Sequence, residues 1–507
     1  MAETSSNQSL HLLSGPLLAR NALWNLLGGG APLLVAVFSI PLLIRELGKE
    51  RFGVLALVWA LIGYAGVFDL GVGRALTQLV ARKLGAGEQR EVPSLARTSL
   101  LLMLALGVVG AVAIILISPW LVRHALQIPA PFQSEAVRSF YLLGLSLPLV
   151  ITTAGLRGVL EAHQRFALSN ALRIPMGVFT FLGPLLVLPF SRSLVPIVAI
   201  LLLGRLLGCG AYLWSCLKVI PLMAERGPLE GSYILVLLRF GGWMTVTNLV
   251  SPLMITLDRF LIGGLLSIAA VTYYVTPFEV VTKLLLVPVA LMGVVFPAFS
   301  TASAQDRASA ALLFDRSIRC VSMALFPIVL LIVVFAHDGL KLWLGSEFAQ
   351  HSTRVLQWLG VGVFINSLSC IPFAFLQGLG RPELTAKLSL IELPLYLLTV
   401  WSLTKHRGVE GTAMAWTLRM AVDATLLFWL SARVAPEAAP GVRRTGVMVS
   451  AATAVLCLAM ALPGFESKIT FLVLALAGFA AVAWRPIARS AGWLLAQRTL
   501  RASQLFP

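Results

Sequence analysis

The sequence predicts an all-α polytopic membrane protein with about fourteen transmembrane helices. Apolar residues make up 58% of the 507 residues and charged residues only 12%, whereas a soluble chain carries roughly 25% charged residues. Apolar runs of about twenty residues recur from end to end, and each is long enough to cross roughly 30 Å of hydrocarbon. No soluble domain and no P-loop pattern interrupts them, which argues against an ATP-driven pump.

The apolar runs place the predicted spans, with boundaries that shift by a few residues. In chain order the spans are 21–43, 52–73, 94–117, 139–160, 167–190, 194–218, 235–257, 269–297, 311–335, 354–378, 384–404, 409–432, 443–462 and 468–486.

The distribution of basic residues predicts the orientation of these spans. The first basic residue is Arg20, so the start of the chain lacks the charged beginning of a secretory signal and the first span is expected to be retained. Cytoplasmic loops collect Lys and Arg. With a cytoplasmic N-terminus, 25 of the 39 Lys and Arg fall inside and 12 outside, and Arg205 and Lys283 lie deep within spans. Both termini are therefore predicted to be cytoplasmic, and the formal charge of +17 is attributed to topology rather than to a nucleic-acid partner.

An internal sequence repeat suggests that the chain consists of two related halves. The segment LRGVLEAHQRFALSNALRIP (156–175) resembles LQGLGRPELTAKLSLIELP (376–394), and the alignment places Arg173 on Glu392. An even number of spans per repeat gives parallel copies, an arrangement that transporters use. The competing interpretation is convergence of Gly, Pro and Leu in membrane helices. The resulting division is a cytoplasmic N-terminal segment 1–20, an N-lobe 21–218 with spans 1–6, a C-lobe 219–432 with spans 7–12, and a region 433–507 with two more helices and a basic cytoplasmic tail.

Several sequence elements occur in the order of a known family. They are Asn21 at the start of the first span, PLLIRELG, RFG, FDLGVGRA, LDRFLIGGLLSIAAVTYYVTPFEVV, FPAFS, QGLGRPEL and GVEGTAMAWTLR, within residues 20–430. Together they resemble the polysaccharide flippases of the multidrug/oligosaccharidyl-lipid/polysaccharide (MOP) exporter superfamily. This resemblance implies movement of an oligosaccharide on polyprenyl pyrophosphate from the inner to the outer leaflet of the bacterial cytoplasmic membrane, for O-antigen or exopolysaccharide assembly.

Charged residues within the spans are the candidates for function. Ionisable groups near a bilayer centre cost about 2.5–3.5 kcal/mol each on insertion scales and usually face protein or water. Glu279 and Lys283 are four residues apart, as are Arg419 and Asp423, so each pair shares one helix face. Two interpretations are open: the pairs fix helix packing, or they line a cleft between the lobes.

A lipid pyrophosphate needs fixed donors along its path, and arginine suits phosphate because its planar fork binds two oxygens. Arg259 can equally form a snorkelling surface pair with its neighbour Asp258. Arg205 lies between two glycines, so close helix packing competes with a substrate role there. The candidate substrate-binding cations are Lys283, Arg173, Arg205, Arg419, Arg259, Arg45 and Arg74. The acids that would neutralise them or couple transport to an ion are Glu279, Glu392, Asp423, Asp69 and Asp258.

The predicted function is that of a secondary flippase working by alternating access, without enzymatic activity, cofactor or metal. Its predicted partners are the lipid-linked oligosaccharide, membrane lipids, and a polysaccharide polymerase with chain-length machinery. A drug or cation antiporter of the same superfamily is one alternative. A membrane polysaccharide polymerase or ligase is the other, although the longest outer loop offers little chemistry.

Overall fold

The computed structural model describes most of the chain. The described residues are 32, 34–63, 68–85, 87–163, 165–221, 231, 233–234, 254, 256–289, 291–292, 299, 307–379, 381–462 and 464–481. They form two compact units, one within Met1–Leu286 and Ala386–Ala415, the other within Val287–Thr385 and Trp416–Pro507. The predicted division into lobes at residue 218 follows the internal repeat and stays a prediction.

Helices account for nearly all of the described residues. Those that begin in the first unit are α1 (34–47), α2 (Lys49–Gly63), α3 (Val72–Gly85), α4 (Val92–Trp120), α5 (Ala130–Ala162), α6 (Phe166–Val187), α7 (Leu194–Val219), α8 (256–265) and α9 (Ile268–Val281). The remaining helices are α10 (Arg307–Val334), α11 (Ala336–Leu344), α12 (Ser346–Gly378), α13 (Pro382–Val434), α14 (Ala439–Ala459) and α15 (465–481). The predicted all-α polytopic class is confirmed.

The number of spans is fixed only in part. Among the described residues, nine helices are long and apolar enough to cross a bilayer. One of them is the α13 segment Glu383–Val434, which contains two predicted spans. Gly408 interrupts this helix with φ 61° and ψ −142°, a backbone conformation that only glycine adopts readily. The break lies between the predicted spans 384–404 and 409–432. Fourteen remains a prediction, because spans 21–43, 52–73, 235–257, 269–297 and 468–486 lie partly outside the described residues.

Loops that were predicted to share one side of the membrane do lie together in the first unit. The Arg51 side chain at the start of α2 contacts Glu135 on α5, with 3.1 Å between Nε and Oε2. Glu135 also accepts a hydrogen bond from the backbone N–H of Leu194, where α7 begins. The Nη2 of Arg192 lies 2.9 Å from Oε2 of Glu46 at the end of α1. This grouping agrees with helices that alternate in direction.

The start of α9 lies at the same end of the first unit. Thr272 donates a hydrogen bond to the backbone carbonyl of Lys49 at 2.8 Å, and the Lys49 ammonium lies 5.6 Å from the centre of the Tyr273 ring. The Gln127 amide donates to the carbonyl of Gly264 at 3.0 Å. These contacts dock α8 and α9 onto α2 and the loop before α5, so the first unit extends well beyond its first six predicted spans.

The second unit packs α10, α12, α14 and α15 around aromatic side chains. Phe326 on α10 stacks on Phe479 of α15 with ring centres 4.7 Å apart. Near the start of α15, the Lys468 ammonium donates a hydrogen bond to the Asp338 carboxylate on α11, with 2.7 Å between Nζ and Oδ2. This hydrogen bond lowers the pKa of the Asp338 carboxyl below its usual value, since the bond favours the ionised form.

Candidate functional site

A cavity of about 400 Å³ in the first unit contains two of the predicted cations. Its walls come from α2, α6, α7, α8 and α9, and it is lined by Ala56, Trp59, Ala60, Ile62, Gly63, Thr180, Phe181, Arg205, Arg259, Val275 and Glu279. We call it the arginine cavity. Most of these side chains are apolar, so the guanidinium groups of Arg205 and Arg259 and the carboxylate of Glu279 are the charges that determine what it accepts.

Arg259 is held rigidly in the wall of the arginine cavity. Its side chain is only 4% exposed, and Nη2 lies 2.9 Å from Oε1 of Glu279. The guanidinium carbon also sits 5.2 Å from the centre of the Phe278 ring, within cation–π range. The snorkelling surface pair considered from the sequence is therefore wrong for Arg259. The side chain is buried and aligned by a neighbouring helix.

Asp258 lies behind Arg259 and is fully buried. One carboxylate oxygen accepts the backbone N–H of Arg259 at 2.8 Å, and the other accepts the hydroxyl of Tyr274 at 2.5 Å. Tyr274 in turn stacks on Phe278 with 5.6 Å between ring centres. Asp258 thus anchors α8 to α9 and fixes the backbone from which Arg259 projects.

Glu279 accepts hydrogen bonds from two cations. Besides Arg259, the Lys283 ammonium donates to its Oε2 at 3.2 Å, so the predicted pairing of Glu279 and Lys283 is present. Lys283 lies on the 3₁₀ turn Thr282–Leu285 that follows α9, and its side chain is 40% exposed. A single carboxylate therefore bridges a buried guanidinium on one side and a half-exposed ammonium on the other.

Arg205 is the cation of the arginine cavity that the described residues leave available. Among the described residues no acceptor forms a hydrogen bond or ion pair with its guanidinium, although it is only partly exposed. It also lines a second, apolar cavity of about 280 Å³ between α6 and α7. An added Cβ at Gly204 would lie 2.5 Å from Phe179 and one at Gly208 would lie 2.3 Å from Met176. The flanking glycines do serve close packing, as the competing interpretation held, and the arginine between them still faces a cavity.

Among the described residues, the charges around the arginine cavity do not cancel. Arg205, Arg259 and Lys283 are three bases, and Glu279 and Asp258 are two acids. With all five ionised, the group carries an excess of positive charge in an apolar setting, where such an excess is costly. The arrangement is suited to binding an anion, because the negative charge of the anion would offset this excess.

Comparison with known proteins places the chain in a family. Residues 42–353, more than half of the chain, match the model of a family described as polysaccharide biosynthesis protein. The chain belongs to this family. A Shigella flexneri protein named "Putative O-antigen transporter" is 29% identical over 420 residues, which cover 82% of this chain and 98% of that protein.

Solved structures show the same fold. An inward-facing multidrug resistance MATE family transporter of the MOP superfamily superimposes with a TM-score of 0.68 at 14% identity, covering 84% of this chain and 98% of that one. The lipid II flippase MurJ in an inward closed conformation also gives a TM-score of 0.68, at 13% identity, covering 92% and 99%. These three relatives are named as transporters or a flippase, and none of the three as an enzyme. This member of the polysaccharide biosynthesis family is thus a membrane protein with a MOP-type fold.

The other predicted cations of the first unit lie at its surface. Arg45 on α1 is 81% exposed, 4.0 Å from Glu46, and Arg74 on α3 and Arg173 on α6 are exposed. Glu392, the repeat partner of Arg173, is buried on α13. The roles predicted for these residues stay predictions, and the structure does not gather them around the arginine cavity.

Asp69 has a structural task in the turn before α3. Its carboxylate accepts the backbone N–H of Gly71 at 2.7 Å, and its carbonyl accepts that of Val72. Leu70 and Gly71 both have positive φ, so the side chain holds a tight turn that leads into the helix. This arrangement gives the buried acid in FDLGVG a structural task, and its predicted role in charge compensation or ion coupling stays a prediction.

Arg419 and Asp423 lie in the second unit, on the last part of α13, and both are partly buried. They remain candidates for the roles predicted from the sequence. A pair with the same four-residue spacing, Arg157 and Glu161 on α5, is present in the first unit with 3.5 Å between Nε and Oε1.

Two aromatic residues of the site were not singled out from the sequence. Trp59 lines the arginine cavity and meets Phe181 edge to face at 5.1 Å, and Tyr274 supports Asp258. The sequence carries a signal for Tyr274, since a tyrosine hydroxyl within an apolar span requires a partner. Nothing in the local pattern around Trp59 distinguishes it from an interfacial anchor.

Proposed function

We propose that the protein translocates an oligosaccharide linked to polyprenyl pyrophosphate from the inner to the outer leaflet of the bacterial cytoplasmic membrane, and that the arginine cavity binds the pyrophosphate. The observation that carries this proposal is the buried site with an excess of cations, in which Arg205 has no protein partner among the described residues. The names of the O-antigen transporter and the lipid II flippase support a lipid-linked glycan as the substrate class.

The chemistry of the cavity fits this substrate. A pyrophosphate carries negative charge that hydrocarbon does not solvate, and each arginine offers five N–H donors in a fixed fork. Arg259 is pre-oriented by Glu279 and Asp258, so little conformational entropy is lost when it binds. The polyprenyl chain stays in lipid while the headgroup passes through the protein. The two lobes of the repeat would expose the site to either side in turn, by alternating access.

A drug-cation antiporter is the second candidate, supported by the multidrug transporter with the same fold. A cationic drug needs an acid that the protein leaves unneutralised. Among the described residues that line the arginine cavity the carboxylate is that of Glu279, and it already accepts from two bases. The electrostatics of this cavity therefore favour the anionic substrate.

The test is Arg205→Gln, assayed for surface polysaccharide in cells and for translocation of a pyrophosphate-linked oligosaccharide in proteoliposomes. Because this side chain makes no polar contact within the described residues, we expect a normal protein level with at least tenfold slower translocation. Arg192→Gln is the matched control, since Arg192 pairs with Glu46 and does not line the cavity. Normal translocation by a well-folded Arg205→Gln variant would exclude the site.

The orientation of the chain is part of the same proposal. Reporter fusions after Arg97 and after Arg489 should show a cytoplasmic location, and a fusion between Gln127 and Ser134 should show the external side. A tail reporter active only outside would require an odd number of spans and would contradict the two-lobe arrangement. A polysaccharide polymerase with chain-length machinery would then receive the product at the outer face.

A further inference from the structure

The second unit contains a larger cavity that the proposed transport function does not use. It measures about 710 Å³ and lies between α10, α12, α14 and α15. Its walls are mainly apolar side chains, among them Met323, Phe326, Val455 and Phe479. We call it the α10–α14 cavity.

The charges of the α10–α14 cavity lie at one end. Asp315 and Arg319 occupy the early turns of α10, and Arg444 occupies the early turns of α14. On α10 the lining continues to Phe326, eleven residues beyond Asp315, and at 1.5 Å per residue this is roughly 16 Å of wall. On α14 it runs equally far, from Arg444 to Val455. The cavity therefore has one charged end and a long apolar remainder, which is the shape of an amphiphile.

The length of the α10–α14 cavity matches the thickness of a single leaflet. The hydrocarbon core of a bilayer is roughly 30 Å thick, so an acyl chain of one leaflet spans about half of it. The predicted topology assigns the charged end to the cytoplasmic side, because spans 311–335 and 443–462 both begin there. A lipid of that leaflet would place its headgroup at the charged end and its chain along the apolar wall.

The charges at this end of the α10–α14 cavity determine which lipid headgroup it can bind. Arg319 is paired with Asp315, whereas Arg444 has no hydrogen bond or ion pair with any described residue, and it is exposed. Two bases against one acid leave positive charge at the mouth of an apolar cavity. Basic pockets of this kind between membrane helices bind anionic lipid headgroups.

We propose that the α10–α14 cavity binds an anionic phospholipid of the surrounding membrane, with its phosphate on Arg444 and Arg319 and an acyl chain between α10, α14 and α15. The bound lipid would fill the space that α14 and α15 leave against α10, so the fold of the second unit is stabilised in membranes that contain anionic lipid.

The test compares two lipids with identical dioleoyl chains, phosphatidylglycerol and phosphatidylcholine, added to the purified full-length chain in detergent. Binding is measured by native mass spectrometry and by the shift in apparent melting temperature. Phosphatidylglycerol is expected to bind more tightly and to raise the melting temperature. Arg444→Gln should weaken its binding about fivefold, equivalent to about 1 kcal/mol for one basic residue. The control Arg381→Gln should bind normally, because Arg381 pairs with Glu383 and does not line the cavity.

A second variant tests the apolar part independently of charge. Gly478 lines the cavity, and an added Cβ there meets nothing within 4 Å. Gly478→Leu should therefore fold and occupy the space, with at least a tenfold loss of phosphatidylglycerol binding. Gly446→Leu is the matched control, since Gly446 on α14 has equally open surroundings and does not line the cavity.

Three results would overturn the proposal. The first is equal binding of the two lipids by the unaltered protein. The second is unchanged phosphatidylglycerol binding in both Arg444→Gln and Gly478→Leu. The third is displacement of phosphatidylglycerol by a polyprenyl phosphate that binds at least tenfold more tightly, which would assign the cavity to the substrate's own chain.

Discussion

The two partners of Glu279 should be energetically unequal, because one is buried and the other is half exposed. Arg259 is 4% exposed and Lys283 is 40% exposed. Removing one member of a buried pair leaves a charge without compensation and costs about 3–5 kcal/mol. An ion pair with an exposed member contributes only about 0–1 kcal/mol. Glu279→Gln should therefore destabilise the protein by roughly 3 kcal/mol, several times the cost of Lys283→Met.

The assay is the apparent melting temperature of each purified variant, read as soluble monodisperse protein after heating in detergent. A change of 3 kcal/mol is expected to lower it by several degrees, whereas Lys283→Met should shift it little. Adding Lys283→Met to Glu279→Gln should not restore stability, because Arg259 still lacks this carboxylate. Adding Arg259→Met to Glu279→Gln should restore most of it. These two double variants are matched, since each removes one base.

Two outcomes would refute this reasoning. If Lys283→Met destabilised the protein as much as Glu279→Gln, the contact with Lys283 would be the important one. If the Glu279→Gln and Arg259→Met changes added without coupling, the two side chains would not form an ion pair in the folded protein. A restored melting temperature together with lost translocation would separate the structural task of Arg259 from its proposed contact with pyrophosphate.

Three further predictions concern other parts of the chain. Asp69→Ala should lower stability by about 1 kcal/mol, the usual loss when a side chain no longer accepts the backbone N–H groups at a helix start, whereas Asp69→Asn should be milder; both are read as melting temperatures. Gly408→Ala should cost about 1–3 kcal/mol because its φ and ψ are strained for any side chain; an unchanged melting temperature would mean that the break in α13 relaxes. Cysteines at Arg173 and Glu392 should crosslink in one conformational state, with a yield that changes when lipid-linked substrate is added. No crosslink in any state would show that the repeat alignment does not place these residues across a gate.

Much of the fold follows from local features of the sequence. Apolar runs of membrane-spanning length predict the helices because backbone N–H and C=O groups in lipid must be satisfied within the helix itself. The break at Gly408 falls between two predicted spans, because it separates two apolar runs that each form such a helix. The contact of Glu279 with Lys283 was also predictable, since residues four apart on a helix are neighbours whatever surrounds them.

Other features of the site depend on contacts between helices. Arg259 and Glu279 are twenty residues apart on different helices, and no spacing rule links them. The same holds for Arg205 on α7, which shares the arginine cavity with α2 and α8. From the sequence, Arg45, Arg74 and Arg173 were candidates together with Arg205, and the structure separates them because only Arg205 of the four lines the arginine cavity.

The sequence by itself determined the membrane class, the positions of most helices and the set of charges from which a site can be built. It did so because hydrophobic length, helix periodicity and the insertion cost of charge are properties of a single segment. Tertiary structure alone decided which charges meet, which are neutralised and which face a cavity. Helix packing brings together side chains distant in sequence, and the energy of a charge depends on the groups and the solvent around it.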